Sequence, residues 1–267
     1  MALRLLAFAL CAAQAAGLVL PAAAVRVKPM PVLYVYDHCP FCVRVRLALG
    51  LKGVKYDVRF LANDDVDLPT SLVGKKISPI FEDGLKAPFA ESLDIVAYVD
   101  GDARYGPTGL FKPASMRTDL KAWQKTVQTP LRLLQRPRYV KTLLPEFAFQ
   151  SSRDAFVKNH QLPPYEKADW KSDALTMEQR WALYEASLLD TPALVKEVND
   201  ALLKLEPLIH CDECATEGGL SLDDIDLWAR LRSLTIVKGV VFPPTVRAYL
   251  DYFSKAGDCP LYDAIAL

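Results

Sequence analysis

Val32-Leu33-Tyr34-Val35-Tyr36-Asp37-His38-Cys39-Pro40-Phe41-Cys42 is the stretch whose reading decides the fold. Residues 32–36 are β-branched, aromatic and aliphatic in the manner of a strand, and residues 43–51 carry the apolar content of a helix. The tetrapeptide Cys39-Pro40-Phe41-Cys42 occupies the joint between them. A proline at the first helical position gives up no hydrogen bond, because that amide has no intrahelical partner, so Cys39 falls at or beside the N-cap. There its sulfur faces the positive end of a helix dipole and a set of unpaired amides, which favour thiolate over thiol.

A free cysteine ionises near pH ~8.5, and such surroundings bring it down to ~3.5 to 7.5. A drop of roughly 3 units raises the thiolate fraction at pH 7 about thirtyfold, but a Brønsted slope of ~0.5 removes a similar factor from intrinsic nucleophilicity. Attack gains little. The larger gain is that Cys39 leaves a mixed disulfide easily, which suits an exchange catalyst. Cys42, one helical turn further in, is the less exposed thiol able to close a disulfide with Cys39. The pair therefore reads as nucleophile (Cys39) and resolving thiol (Cys42). A structural or metal-binding pair would need a second set of ligands nearby, and no metal is expected.

The composition bounds the rest. At 267 residues, 51% hydrophobic and 24% charged, the chain is long enough for two modest domains. Lys plus Arg and Asp plus Glu balance at 32 each, so no global field draws nucleic acid or an anionic membrane. Six cysteines are too few to staple a chain of this size. Arg4 precedes an apolar run at 5–20 broken only by Gln14 and Gly17, and Pro21-Ala22-Ala23-Ala24 follows with small residues suited to cleavage after Ala24. Residues 1–24 are thus expected to be a cleaved leader, directing the protein to the secretory pathway or a plastid. A membrane anchor is the alternative, since the run approaches the lower limit for a span.

Beyond the tetrapeptide, residues 55–60 read as a second strand. The intervening helix is too long for a hairpin loop, so the two strands are expected to run parallel. A short helix near 69–73 leads to Ile77-Ser78-Pro79-Ile80-Phe81, the turn Glu82-Asp83-Gly84 and the run 86–89, which together read as an antiparallel hairpin. Residues 91–99 follow as a helix with Ser92 as its cap. Three glycines and two prolines between 100 and 113 mark a linker. The expected division is a leader at 1–24, an α/β domain at 31–103, a linker at 104–114 and an all-helical domain at 115–260. In the last, Leu120, Trp123, Val127, Leu131 and Leu134 recur at helical steps. Further helices are expected at 153–160, 176–188, 191–205, 222–237 and 244–254. Ser221-Leu222-Asp223-Asp224 marks one start sharply, with a hydroxyl at N-cap, a carboxylate at N3 and Leu220 and Ile225 as a hydrophobic staple.

The order β-α-β-α-β-β-α is that of thioredoxin, and several segments narrow the resemblance. Residues 34–42, Leu61-Ala62-Asn63-Asp64-Asp65, Val73-Gly74-Lys75-Lys76 before Ser78-Pro79-Ile80, residues 91–100, residues 222–227 and Arg232-Ser233-Leu234-Thr235 together closely resemble the glutaredoxin 2 family. The resemblance covers most of residues 31–255. It implies an α/β thioredoxin-like N-terminal domain packed on an all-α, glutathione-transferase-like C-terminal domain, in a monomer. The implied activity is glutathione-dependent reduction of protein disulfides and of mixed disulfides between proteins and glutathione, the latter being the co-substrate. Carried over by position, Cys39 attacks and Cys42 resolves. Pro40 and Phe41 belong to the glutathione-binding rim, and Ser78-Pro79 supplies a cis-proline turn whose backbone pairs with the cysteinyl part of glutathione. Glu91 and Ser92 hold its γ-glutamyl end, with helix amides and a hydroxyl for the carboxylate and Glu91 for the ammonium. Arg44 and Arg46 either stabilise the thiolate and steer glutathione or pair with a domain neighbour.

The sequence departs from the family in three places. Phe41 stands where tyrosine is more usual, which removes a hydroxyl from the thiol rim but should leave the chemistry intact; Ser78 stands where valine is, and since that contact is made by backbone, glutathione binding should survive; the leader has no bacterial counterpart. A second pair, Cys211-Asp212-Glu213-Cys214, admits a local disulfide, a redox switch or half of a zinc site. Zinc would need two more ligands, with His210 the only adjacent candidate, and the acidic pair raises rather than lowers a thiol pKa. A structural or regulatory disulfide is favoured. Two other functions share the fold: glutathione transfer or dehydroascorbate reduction, whose enzymes commonly lack the C-P-x-C pair, and a non-catalytic glutathione-binding or membrane-inserting module.

Overall fold

Strand β2, Val32–Val35, lies at the centre of a four-stranded sheet of order β4-β2-β5-β6. In the computed structural model, which describes residues 25–163, 165–166 and 168–267, β2 is followed by helix α1, Pro40–Leu51. The leader expected at 1–24 lies outside the described residues. Strand β4 (Asp57–Phe60) runs parallel to β2, while β5 (Ile80–Glu82) runs antiparallel to both β2 and β6 (Phe89–Ala90). Helix α2 (Asp67–Val73) connects β4 to β5, and α3 (Ser92–Gly101) follows β6. Period-two alternation sorts the sheet side chains. Leu33, Val35 and Phe81 enter the main core with α1 and α3, whereas Tyr34, Leu61 and Ile80 form a second cluster with Leu72 and Val73 of α2.

Two expectations are corrected here. Residues 55–60 are not one strand: β3 (Val54–Lys55) pairs with β1 (Val25–Arg26), and after Tyr56 the chain moves on to pair with β2. The hairpin is also shorter than its sequence suggested. Pro79 cannot donate to the ladder, and Asp83 turns inward after β5, its Oδ2 accepting from Tyr98 and Tyr105 at 2.6 Å each.

The helical part comprises α4 (Thr118–Tyr139), α5 (Gln150–Asn159), α6 (Met177–Ser187), α7 (Thr191–Leu205), α8 (Leu222–Leu234) and α9 (Pro244–Ala256). Leu120, Trp123, Val127 and Leu134 of α4 are buried, and the Trp123 indole donates to Ala201 O of α7 at 2.8 Å. Helix α8 begins with the expected capping box, Ser221 with Asp224, and ends at Leu234, three residues earlier than its apolar pattern suggested. The two parts meet along α1, which packs against α3 on one side and α8 and α9 on the other. Gly50 of α1 makes this approach possible: a Cβ there would lie 1.8 Å from Gly257 O. Among the described residues no helix is long and apolar enough to cross a membrane.

Candidate active site

Cys39 is the N-cap of α1, with φ −74° and ψ 119°, and Pro40 is the first helical residue. The geometry follows from the sequence, because proline's fixed φ suits the first turn and its missing amide would have had no partner. Cys39 is partly exposed, whereas Cys42 is fully buried one turn below. A hydrogen bond from the Cys42 thiol is the chief cause that brings the Cys39 pKa down to about 6; the charge of His38 and the amides of Cys42 and Phe41 act with it against desolvation. Cys42 moves the opposite way. Burial pushes it well above the ordinary thiol range, although Ser78 and the Tyr36 amide, 3.4 Å from its sulfur, work against that. One thiol is thus held as an anion and the other as its proton-bearing neighbour.

The Ser78–Pro79 peptide is cis and faces this pair. The Ser78 side chain is more than a bystander to a backbone contact. Its Oγ lies 3.1 Å from Cys42 Sγ and donates to Tyr34 O at 3.2 Å. Phe41 is half-exposed at the rim, with the Arg44 guanidinium 4.7 Å from its ring centre. At the start of α3, Ser92 is not the cap but the first helical residue. Glu91 takes the N-cap place with φ 77° and makes no side-chain cap bond, so the first-turn amides of α3 are left uncapped by it. A non-glycine residue held at such an angle stores about 1–3 kcal/mol, which functional sites tolerate. The Glu91 carboxylate is exposed, 3.7 Å from Lys75 Nζ, while the buried Ser92 hydroxyl accepts from Arg44 Nη1 at 3.4 Å.

Both candidate arginines form ion pairs, but only that of Arg44 crosses the domain boundary. Arg44 bonds Asp226 of α8 while keeping its contacts with Phe41 and Ser92, so it remains on the rim. Arg46 does not. It is buried against Asp37, whose carboxylate also receives Arg232 of α8 at 3.2 and 3.3 Å, a placement that fits the ion-pair alternative and not service to thiolate or glutathione. Burial opposes ionisation of Asp37, but Arg232 and Arg46 outweigh it and hold the carboxyl below its usual range. Arg232 Nη1 and the Tyr262 hydroxyl further donate to Asp37 O at 2.9 and 2.8 Å. Next along the chain, His38 meets Glu146 of the helical domain: Glu146 Oε1 accepts from the His38 amide at 2.9 Å and lies 2.6 Å from Nδ1. Asp37, His38, Glu146, Asp226, Arg232 and Tyr262 were not identified as functional from sequence. Proximity to Cys39 singles out the first two, but nothing local names partners more than 100 residues away.

The second cysteine pair is placed differently from expectation. Cys211 and Cys214 face each other across an antiparallel bridge with their sulfurs 3.4 Å apart, well beyond the ~2.05 Å of a disulfide bond. The expected Cys211–Cys214 bridge is therefore not formed. Burial, with Asp224 and Glu213, pushes the free Cys214 thiol up to about 11, which makes it a poor nucleophile. Among the described residues no group of three or more His, Cys, Asp or Glu side chains could hold a metal ion.

Comparison with known proteins agrees with this geometry. Residues 119–266 match the family model for the glutaredoxin 2 C-terminal domain, and residues 33–107 that for the glutathione S-transferase N-terminal domain. Glutaredoxin 2 of Escherichia coli (strain K12) is 33% identical over 236 residues, 88% of this chain and 99% of that protein. The crystal structure of glutaredoxin 2 from Salmonella typhimurium in complex with glutathione superposes with a TM-score of 0.75 at 31% identity, over 89% of this chain and 99% of that one. The beta-etherase LigF of a Sphingobium species shares the fold alone, with a TM-score of 0.52 at 15% identity over 84% of this chain and 95% of that one.

Proposed function

The chain belongs to the glutaredoxin 2 family, and from that premise we infer that it is a glutathione-dependent thiol-disulfide oxidoreductase acting through Cys39 and Cys42. The observation that carries the assignment of roles is the split between the two thiols: an anionic sulfur at a helix N-cap, one turn from a buried protonated one. The Cys39 thiolate attacks the glutathionyl sulfur of a protein–glutathione mixed disulfide. A new S–S bond forms, the old one breaks, and the protein sulfur departs as thiolate to be protonated by solvent. A second glutathione thiolate then attacks the same glutathionyl sulfur; Cys39 leaves as an anion and oxidised glutathione is released. For protein disulfides, Cys42 gives up its proton and attacks the Cys39 sulfur, expelling the bound thiol and closing the Cys39–Cys42 ring. Two glutathiones reopen it.

The groove offers complementary groups for glutathione. The cis Ser78–Pro79 turn presents backbone beside the thiols, the α3 amides and Ser92 suit the γ-glutamyl carboxylate, and the exposed Glu91 suits its ammonium. Pro40 and Phe41 complete the rim, with Arg44 steering the anionic ligand from above. The substrates are glutathionylated and disulfide-bonded proteins, handled by a monomer. Residues 1–24 act as a leader into the secretory pathway or a plastid. A less reducing glutathione pool there would shift net flux towards disulfide formation.

Reduction of hydroxyethyl disulfide, coupled through glutathione reductase to NADPH, tests the activity. Wild type should turn over, Cys39→Ser should be inactive, and Cys42→Ser should keep mixed-disulfide reduction while losing protein-disulfide reduction. No rate above background in wild type would leave only a glutathione-binding module. Imaging full-length protein beside a version lacking residues 1–24 tests the leader; identical distributions would refute it.

A further inference from the structure

The exchange chemistry leaves one buried ionisable group beside the thiols unassigned. Glu146 sits in the 3-10 turn Pro145–Phe147 after α4, fully buried, and its Oε2 has no hydrogen-bond partner. A carboxylate charge without a counter-ion is not stable in such a place. Its Oε1 is saturated by one residue, His38, through the amide at 2.9 Å and Nδ1 at 2.6 Å. The second distance is at or below the short end for a charge-assisted N–H···O bond. The imidazole is otherwise enclosed by rings: Tyr36 at 5.9 Å, Tyr139 at 5.0 Å, and Phe147 and Phe156 at 5.1 Å each.

The other titratable groups around His38 do not compete for its charge. Burial pushes the phenols of Tyr36, Tyr139 and Tyr262 up, so all three stay neutral at physiological pH. His160, stacked on the far side of Phe156, is brought down to about 4 by burial and is neutral as well. Asp37 is held by Arg46 and Arg232 on the other side of the chain. On the remaining side His38 is covalently followed by Cys39.

We propose that Glu146 is a positioning residue that keeps the His38 imidazole protonated, so that a carboxylate of the helical domain sustains the cation beside the attacking sulfur. The proposal rests on the reading of Cys39 as the attacking thiol. It gives the C-terminal domain a part in the chemistry of the N-terminal one, through a pair whose members are 108 positions apart.

Alkylation of Cys39 by iodoacetamide as a function of pH, followed by mass spectrometry on the reduced full-length protein, tests it. Wild type should show a midpoint near 6. Glu146→Gln should move the midpoint up by about 1 unit, Glu146→Asp should restore part of the difference, and His38→Gln should reproduce the upward shift. In the His38→Gln background, Glu146→Gln should add nothing. An unmoved midpoint in Glu146→Gln, or an equal shift without His38, overturns the proposal. Nitrogen-edited NMR of the wild type provides a reading free of any folding defect: a His38 ring carrying both N–H protons at pH 7 supports it, and a neutral ring refutes it. A wild-type midpoint above 8 would instead remove the oxidoreductase reading itself, so the two failures are distinguishable.

Discussion

At the scale of single residues, Ser78 shows how a departure from the family pattern acquires a task. Its single hydroxyl proton, accepted by Tyr34 O at 3.2 Å, can turn to Cys42 Sγ, 3.1 Å away, as the resolving thiolate forms. A hydrogen bond to a charged group contributes about 1.5–3 kcal/mol, so Ser78→Val should slow ring closure by about tenfold or more. Stopped-time mass spectrometry would then show the Cys39–glutathione adduct accumulating, with attack by Cys39 unaffected. Cys39 itself links redox state to stability. Its folded pKa of about 6 lies below the ordinary thiol value, so its thiolate stabilises the reduced protein fully above pH ~8.5 and loses that contribution as the pH falls through 6. Melting of reduced wild type against Cys39→Ser should therefore differ most in mild alkali and converge below pH 6. A gap independent of pH would contradict the assignment.

At the scale of elements, the start of α8 was readable because capping is local. Ser221 Oγ accepts from Asp223 N at 3.3 Å, and Asp224 Oδ2 accepts from Ser221 N at 2.8 Å. Ser221→Ala should lower stability by about 0.5–2 kcal/mol, seen as an earlier thermal transition. The crossing of α1 with the end of α9 was not readable, because nothing in the isolated sequence of α1 says that Gly50 touches Gly257. Its consequence is severe: Gly50→Ala drives a Cβ to 1.8 Å from a backbone oxygen that cannot step aside as a side chain would. Overpacking of this kind costs about 1–3 kcal/mol or more, so denaturant unfolding of Gly50→Ala should come well before that of Ser221→Ala. The start of α3 misleads for a related reason. Ser92 has the right residue type for a cap, but Arg44 claims its hydroxyl and the cap position falls to Glu91.

At the scale of the molecule, Asp37 joins the two domains. It is held by Arg46 from α1 and by Arg232 from α8, with side chains that are 10% and 3% exposed. Arg232→Leu leaves that buried carboxylate short of one partner and should cost about 3–5 kcal/mol at neutral pH. The carboxyl is held below its usual range, so this stabilisation is present above pH ~3.9 and disappears as the pH falls through the folded value. The deficit of the variant in urea unfolding should accordingly shrink on acidification. Hydrogen exchange should localise the damage to β2, the first turn of α1 and the segment around Pro260 and Tyr262 that follows α9.

The sequence by itself determined the alternation of strands and helices around Cys39-Pro40-Phe41-Cys42, the helical second half and the place of a thiol at a helix N-cap. Each of these depends on residues within a turn or two of one another, through periodicity, proline geometry and capping. Only the tertiary structure decided which charges attend the thiol. Arg46 turns from glutathione to Asp37, Arg44 finds Asp226 and His38 finds Glu146, the last two in pairings that span 182 and 108 positions. Such pairings are set by which helix faces pack together. Residue type limits what a side chain can bond, whereas packing alone decides what lies within its reach.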